Sequence, residues 1–244
     1  MKQESLRVTG NVRIAESVWK MTLEGAELEE QKPGQFVNIR LDGQFLRRPI
    51  SVCESSSGSL TLIYKVVGRG TEQMSRLHAG EMLDMLTGLG NGYDLAKAGD
   101  APLLLGGGVG VPPLVMLARK LREQGKRVTA VLGFNTRAEV FGEELFRALG
   151  CDTVVATADG SYGTKGFVTD ALPEEYSYFY TCGPEPMLKA VYRKTKTSGQ
   201  FSFEERMGCG FGACMGCSCR TITGYKRICR EGPVLEKEEI LWED

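Results

Sequence analysis

The sequence predicts a multidomain α+β protein: an N-terminal antiparallel β-barrel, a central α/β domain on a parallel sheet, and a small cysteine-rich C-terminal module. Three observations predict it. Up to about Leu86 the chain offers short β-branched or alternating runs broken by turn residues. From Leu103 onward, strand-like and helix-like segments alternate. Five of the eight cysteines lie between Cys209 and Cys229. The boundaries expected from these shifts are 1–99, 100–200 and 201–244.

In the first region strands are expected over 7–14, 18–23, 36–40, 50–53 and 60–67, a spacing that suits a small antiparallel barrel or sandwich. Met74, Met82 and Met85 read as core filler. His78, the one histidine, sits in the helix-end context Arg76-Leu77-His78-Ala79-Gly80. A solvated or capping role is expected for it, because no nucleophile or carboxylate pair accompanies it.

Around Asp100-Ala101-Pro102 the pattern changes. Leu103-Leu104-Leu105 is a compact apolar run that leads through glycines into a helical stretch at 114–123. Strands are then expected over 128–134, 153–157 and 176–182, and helices over 143–149, 167–172 and 186–196. Such alternation places helices on both faces of a parallel sheet. The basic stretch Arg193-Lys194-Thr195-Lys196 reads as the exposed last turn of a helix, where cations suit the dipole. After Gly199 the chain is expected to leave the pattern, with 201–206 leading into the cysteine-rich segment. No internal repeat or low-complexity tract is found.

Composition narrows the function classes. With 244 residues, 42% hydrophobic and 25% charged, the chain is long enough for two modest cores and an appended module. Thirty basic residues balance thirty-one acidic ones, so neither nucleic acid nor a membrane surface is indicated as the main partner. Met1-Lys2-Gln3-Glu4-Ser5 lacks the apolar core of a signal peptide, and no apolar run reaches the length of a bilayer span. A cytoplasmic protein is therefore expected. Glycines cluster at 106–108 and 208–216, where a ligand could approach the backbone closely.

In a reducing compartment, cysteines read as ligands or core residues rather than as a disulfide framework. Cys53, Cys151 and Cys182 are scattered, as small buried hydrophobes often are. Cys209, Cys214, Cys217 and Cys229 read C-x4-C-x2-C and then a fourth cysteine after an eleven-residue gap. This is the plant-type spacing of a [2Fe-2S] centre. Two bridged irons need four thiolates, and Gly208, Gly210, Gly212 and Gly216 permit a loop to wrap tightly and aim N–H groups at anionic sulfur. A structural zinc site is the alternative, since Cys214 and Cys217 also form a C-x2-C knuckle. Cys219 is a fifth, unassigned thiol that could take the place of Cys217.

Four segments carry a resemblance. They are Arg47-Arg48-Pro49-Ile50-Ser51-Val52, Ile63-Tyr64-Lys65-Val66-Val67-Gly68-Arg69-Gly70-Thr71, Gly106-Gly107-Gly108-Val109-Gly110-Val111-Pro112-Pro113-Leu114 and Thr181-Cys182-Gly183-Pro184. Together they resemble the ferredoxin reductase superfamily, which pairs an FAD-binding barrel with a nicotinamide-binding α/β domain. With a [2Fe-2S] module appended, the order resembles the electron-transfer subunits of type B dihydroorotate dehydrogenases. The run from Met207 to Cys214 and the ending Cys229-Arg230-Glu231-Gly232-Pro233-Val234 carry that narrower likeness, and the match covers nearly the whole chain.

The resemblance implies a role for each segment. Arg48 and Ser51 would neutralise and hydrogen-bond the FAD pyrophosphate, a match of charge and donors to a dianion, with Pro49 and Ile50 in the same segment. Ile63, Tyr64 and Lys65 would continue along the flavin, and Gly70 and Thr71 would bind phosphate at the start of a helix over 72–77. Gly106, Gly107, Gly108 and Gly110 would set unpaired N–H groups against the dinucleotide at the carboxyl edge of the sheet. Asp159 and the Cys182-Gly183-Pro184 turn end later strands on that edge. In the superfamily the Cys-Gly-Pro turn lies under the nicotinamide, so Cys182 would either contact the ring or serve as a core residue. Arg137 is the one basic residue in the segment directly after the 128–133 strand, so NAD is favoured over NADP.

The expected cofactors are thus FAD, a [2Fe-2S] cluster held by Cys209, Cys214, Cys217 and Cys229, and NAD as cosubstrate. No acid-base side chain is required. The implied partner is an FMN-containing catalytic subunit that oxidises dihydroorotate in pyrimidine synthesis, the two forming a heterotetramer. Two alternatives stand beside this: the small subunit of an NAD(P)H-ferredoxin, sulfide or hydrogenase-linked oxidoreductase, and a zinc-stabilised binding module without chemistry.

Overall fold

The computed structural model of the chain describes residues 1–242. The last two residues of the expected 201–244 module therefore lie outside the described residues.

Six strands form the N-terminal barrel: β1 (Lys2–Ala15), β2 (Val18–Glu24), β3 (Phe36–Ile39), β4 (Arg48–Ser56), β5 (Ser59–Lys65) and β6 (Met82–Leu89). They close in the order β1-β2-β5-β4-β3-β6, every pair antiparallel. β1 makes closure possible. Lys2 to Arg7 pair with β6 and Arg7 to Ala15 with β2, so one long strand serves two neighbours and no edge is left open. Inside, Leu6, Val8, Met21, Leu23, Leu60, Leu62 and Met85 pack into one core.

β6 is absent from the five strands expected from the sequence. Leu83, Met85, Thr87 and Leu89 alternate inward, but Asp84, Thr87 and Gly88 dilute the apolar signal. The same alternation turns Met82 outward, where it is 57% exposed, so it is not core filler; Met74 and Met85 are fully buried. A helix, α1 (Arg69–Ser75), joins β5 to β6 and starts earlier than the expected 72–77. His78 is exposed.

The second sheet contains β7 (Leu103–Gly107), β8 (Thr129–Phe134), β9 (Asp152–Thr157), β10 (Thr164–Lys165), β11 (Phe179–Cys182) and β12 (Gly199–Ser202). Its helices are α2 (Pro113–Glu123), α3 (Glu143–Ala148) and α4 (Glu185–Lys194). Side chains alternate between the two faces. Leu104, Ala130 and Leu132 pack with Leu114, Leu117 and Phe146 of α2 and α3. Leu103, Leu105 and Val131 pack with Leu188 and Val191 of α4. The expected helix at 167–172 is a single tight turn at Val168–Asp170, held because Asp170 Oδ2 accepts the Phe167 N–H at 2.9 Å.

The chain does not leave the sheet at Gly199. β12 pairs in parallel with β11, and Phe201 packs edge-on against Phe179 at 5.3 Å. After a hairpin of β13 (Ser218–Thr221) and β14 (Gly224–Arg227), β15 (Val234–Glu236) returns antiparallel to β12. The full order is β10-β9-β8-β7-β11-β12-β15. The expected 200/201 boundary thus falls within a strand, and the cysteine-rich segment is stitched into the central sheet. Strands run outward from β7 to β10 and then resume on its other side at β11. This places a switch point, where α/β sheets bind ligands, at the carboxyl ends of β7 and β11.

Among the described residues no helix is long and apolar enough to cross a membrane.

Candidate functional site

The segment after β12 carries the four cysteines as two pairs. The Cys209 N–H donates to Cys214 Sγ at 3.5 Å, and the Cys229 N–H to Cys217 Sγ at 3.4 Å. The β13–β14 hairpin makes the second pair: Ser218 faces Arg227, and the Ile228 N–H reaches the Cys217 carbonyl at 3.1 Å. The first pair comes from the glycine loop. Gly210, at φ 76°, lies so close to β3 that a Cβ would stand 2.2 Å from Asn38 Nδ2, and that amide donates to the Cys209 carbonyl. Only glycine fits there.

The donor set suits a two-iron cluster. Among the described residues no three or more ligand side chains gather around a single metal centre. Thiols paired as Cys209 with Cys214 and Cys217 with Cys229 match two metals with two thiolates each, whereas one zinc needs four ligands around one point. Burial works against ionisation of Cys209, but N–H groups of Phe211, Cys214 and Ala213 bring its pKa down to about 6. Burial and the Cys217 sulfur push Cys229 up to about 12. Bound iron would hold both as thiolates. Cys217 and Cys229 are buried and Cys214 is exposed. Cys219 points away, into a separate groove with Arg220 and Trp242.

A cavity of about 350 Å3 opens on the barrel beside this module. Eight predicted flavin residues line it: Arg48, Pro49, Ile50, Ser51, Ile63, Tyr64, Lys65 and Thr71. Gly70 supports it from behind, since a Cβ there would meet Arg48 Nε at 2.1 Å. Arg48 is aimed by its own donors, Nη1 to the Leu46 carbonyl at 2.5 Å and Nη2 to Gln44 Oε1 at 2.7 Å. The Thr71 hydroxyl is engaged with the backbone of Val67 and Gly68. Burial pushes the Tyr64 phenol up to about 12 while its hydroxyl donates to Asn11. The opposite wall comes from the cysteine side of the chain, through Ser202, Met207 and Pro233.

A second cavity, about 510 Å3, lies at the switch point. Gly107, Gly108, Pro184 and Lys65 line it together with Phe134, Asn135 and Glu139. Gly106, Gly110 and Gly183 stand behind the wall. A Cβ on Gly110 would meet the Cys182 carbonyl oxygen at 2.3 Å, and one on Gly183 the Gly107 nitrogen at 3.2 Å, so the turns after β7 and β11 touch through backbone. Cys182 is fully buried and lines neither cavity; burial raises its thiol and the Ser202 hydroxyl opposes the shift. Asp159 is exposed at the end of β9, where its carboxylate accepts from the Ser161 N–H and hydroxyl.

Two residues of this region escaped sequence reasoning. Glu139 pairs with Lys65 at 3.0 Å across the barrel and the sheet, while its second oxygen accepts from the Asn135 backbone and side-chain N–H groups. Glu204 contacts solvent yet stands where both cavities meet, and crowding by protein raises its carboxyl above the usual range. The position of Glu204 just ahead of the cysteine run was the one available signal; Glu139 had none.

Comparison with known proteins agrees with this geometry. Residues 204–241 match the iron-sulfur cluster binding domain of dihydroorotate dehydrogenase B. Over 99% of both chains, the protein is 44% identical to the dihydroorotate dehydrogenase B (NAD(+)) electron transfer subunit of Geobacillus sp. (strain WCH70). It is also 44% identical to the Fusobacterium nucleatum subunit, over 96% of each. Among solved structures, a chain of the NADH-dependent reduced ferredoxin-NADP oxidoreductase superposes with a TM-score of 0.88 and 31% identity, covering 97% of this chain and 90% of that one. The ferredoxin reductase of carbazole 1,9a-dioxygenase shares the fold at a TM-score of 0.69 and 23% identity, over 79% and 64%.

A closed six-stranded barrel, a parallel sheet with its switch point beside it and a four-cysteine domain define a ferredoxin reductase-like oxidoreductase that carries an iron-sulfur centre. Its fold fits FAD, a [2Fe-2S] cluster and NAD as cofactors. Within that class, the chain belongs to the family of dihydroorotate dehydrogenase B (NAD(+)) electron transfer subunits.

Proposed function

We propose that this chain is the electron-transfer subunit of a cytoplasmic NAD-dependent dihydroorotate dehydrogenase, serving pyrimidine synthesis. Its partner is an FMN-containing catalytic subunit, and two copies of each form a heterotetramer. Electrons pass from that partner through the [2Fe-2S] cluster and FAD to NAD+. In this reading the barrel holds FAD, the parallel-sheet domain holds NAD, and the segment between β12 and β15 holds the cluster through Cys209, Cys214, Cys217 and Cys229.

One observation carries the reading beyond family membership. Met207 and Pro233, which bracket the four cysteines, line the same cavity as Arg48 and Ser51, so the cluster module forms one wall of the flavin site. When bound, FAD supplies the exchange between the two-electron chemistry of nicotinamide and the one-electron chemistry of the cluster. The chain's own residues orient and shield. Arg48 and Ser51 bind the pyrophosphate; Gly107 and Gly108 admit the dinucleotide to the backbone at the switch point; Val109, which lines both cavities, shields the space between them from water. Asp159 and Cys182 support that wall without lining it.

Mixing the purified chain with its FMN-containing partner tests this. Dihydroorotate-dependent NAD+ reduction is expected from the pair and from neither protein alone; a pair that reduces NAD+ with another donor but not with dihydroorotate refutes it. The likeness to the reduced ferredoxin-NADP oxidoreductase favours a second reading, a flavin and iron-sulfur subunit serving ferredoxin. Reduction of ferredoxin by the complex at rates above those with dihydroorotate would select it.

A further inference from the structure

Arg227 ends β14 and reaches across to the cluster loop. Its guanidinium forks onto Glu231: Nε donates to Oε2 at 2.9 Å and Nη2 donates to Oε1, while the Arg227 backbone N–H also reaches Oε2 at 2.9 Å. Held in this way, Nη1 donates to the Gly212 carbonyl oxygen at 2.5 Å. The peptide unit that begins at that carbonyl ends in the Ala213 N–H, which donates to Cys209 Sγ at 3.2 Å. A cation, one peptide group and a predicted ligand sulfur are therefore linked in series. Gly212 sits at φ 95°, a conformation that L side chains rarely adopt, and a Cβ there would meet Arg230 Cδ at 2.6 Å. Glycine thus permits the carbonyl to face Arg227 and the next N–H to face the sulfur.

We propose that Arg227 is a positioning residue for the cluster: acting through the Gly212–Ala213 peptide, it strengthens the hydrogen bond on Cys209 Sγ and raises the cluster's reduction potential. The inference rests on the cluster reading above. A peptide group is planar and conjugated, so a cation on its oxygen withdraws density and makes its N–H a stronger donor. Hydrogen bonds to ligand sulfurs and the net charge nearby are the levers by which a protein sets such potentials. Adding an electron makes an already anionic thiolate-sulfide cluster more negative, so positive potential at the sulfur favours the reduced form. Glu231 orients the guanidinium and at the same time offsets part of its charge, which gives the two residues opposite signs.

Redox titration of the holoprotein tests this, with the cluster read by EPR and the flavin by absorbance. Arg227→Gln is expected to lower the reduced-to-oxidised ratio of the cluster about tenfold at fixed potential, about 59 mV for a one-electron couple, with the flavin unmoved. Weaker nitrogen hyperfine coupling to the reduced cluster should accompany it. Glu231→Gln is expected to shift the potential upward, a direction that mere loosening of the loop does not give. Opposite shifts in the two variants support the relay, and any other pattern in cluster-containing protein overturns it. Where Arg227→Gln loses iron, the sign in Glu231→Gln alone decides. Wild-type protein that contains neither iron nor labile sulfide after reconstitution defeats the cluster reading rather than the relay.

Discussion

Replacing Gly70 with alanine separates flavin binding from folding in a single residue. The new Cβ would stand 2.1 Å from Arg48 Nε and 2.8 Å from Cζ, so the guanidinium must swing out of the position it now holds above α1. The helix itself tolerates the change, because alanine exceeds glycine in helix propensity by up to about 1 kcal/mol. On the proposed reading Arg48 is the cation that meets the FAD pyrophosphate, and charge-assisted hydrogen bonds of that kind contribute about 1.5–3 kcal/mol each. The expected result is therefore FAD affinity weakened about 10- to 150-fold, with the melting point of the apoprotein unchanged or slightly raised. Quenching of flavin fluorescence during titration of apoprotein reads the first quantity and a thermal scan the second. A Kd within about twofold of the wild type would refute the placement of the pyrophosphate at Arg48.

Three further outcomes are expected. Serine in place of Cys209, Cys214, Cys217 or Cys229 should abolish stoichiometric iron and labile sulfide, whereas Cys219→Ala should retain both, as elemental analysis will show. Gly110→Ala should destabilise the protein by about 1–3 kcal/mol or more in urea, because the added Cβ would meet the Cys182 carbonyl oxygen at 2.3 Å and the Gly183 nitrogen at 2.6 Å, and backbone cannot yield. Glu139→Gln should cost about 0.5–1 kcal/mol at neutral pH, as fits a partly exposed pair. Burial opposes it, but the Lys65 ammonium and the Asn135 N–H hold the Glu139 carboxyl below its ordinary value of 4.5. A depressed folded value means a contribution fully present above 4.5 and lost as pH falls through the lower folded value. Urea unfolding of wild type and variant should therefore converge in acid.

The parts of the molecule written locally in the chain were legible from it. The iron-sulfur binding domain at 204–241 was expected from the spacing of Cys209, Cys214, Cys217 and Cys229, because the way a short loop wraps a small cluster shows in the sequence without knowledge of the fold. β2 and β5, short apolar-rich runs bounded by turn residues, were equally plain. Elements whose meaning depends on distant partners were not. Val234 to Glu236 is too short to show any period, and it becomes a strand only because β12 offers it an edge. Leu103 to Leu105 announced a buried strand, but which turn would lie against its glycines was decided by β11 returning beside it. Glu139 looked like one surface carboxylate among many until folding set it 3.0 Å from Lys65.

Electronic contact between the barrel cavity and the four-cysteine module is the claim on which the functional account stands, and anaerobic reduction of the isolated holoprotein by NADH tests it most directly. One FAD, two irons and two sulfides per chain are expected, with flavin bleaching followed by the EPR signal of a reduced two-iron cluster. Bleaching of the flavin while a fully loaded cluster stays oxidised, with no signal even at high NADH, would contradict it.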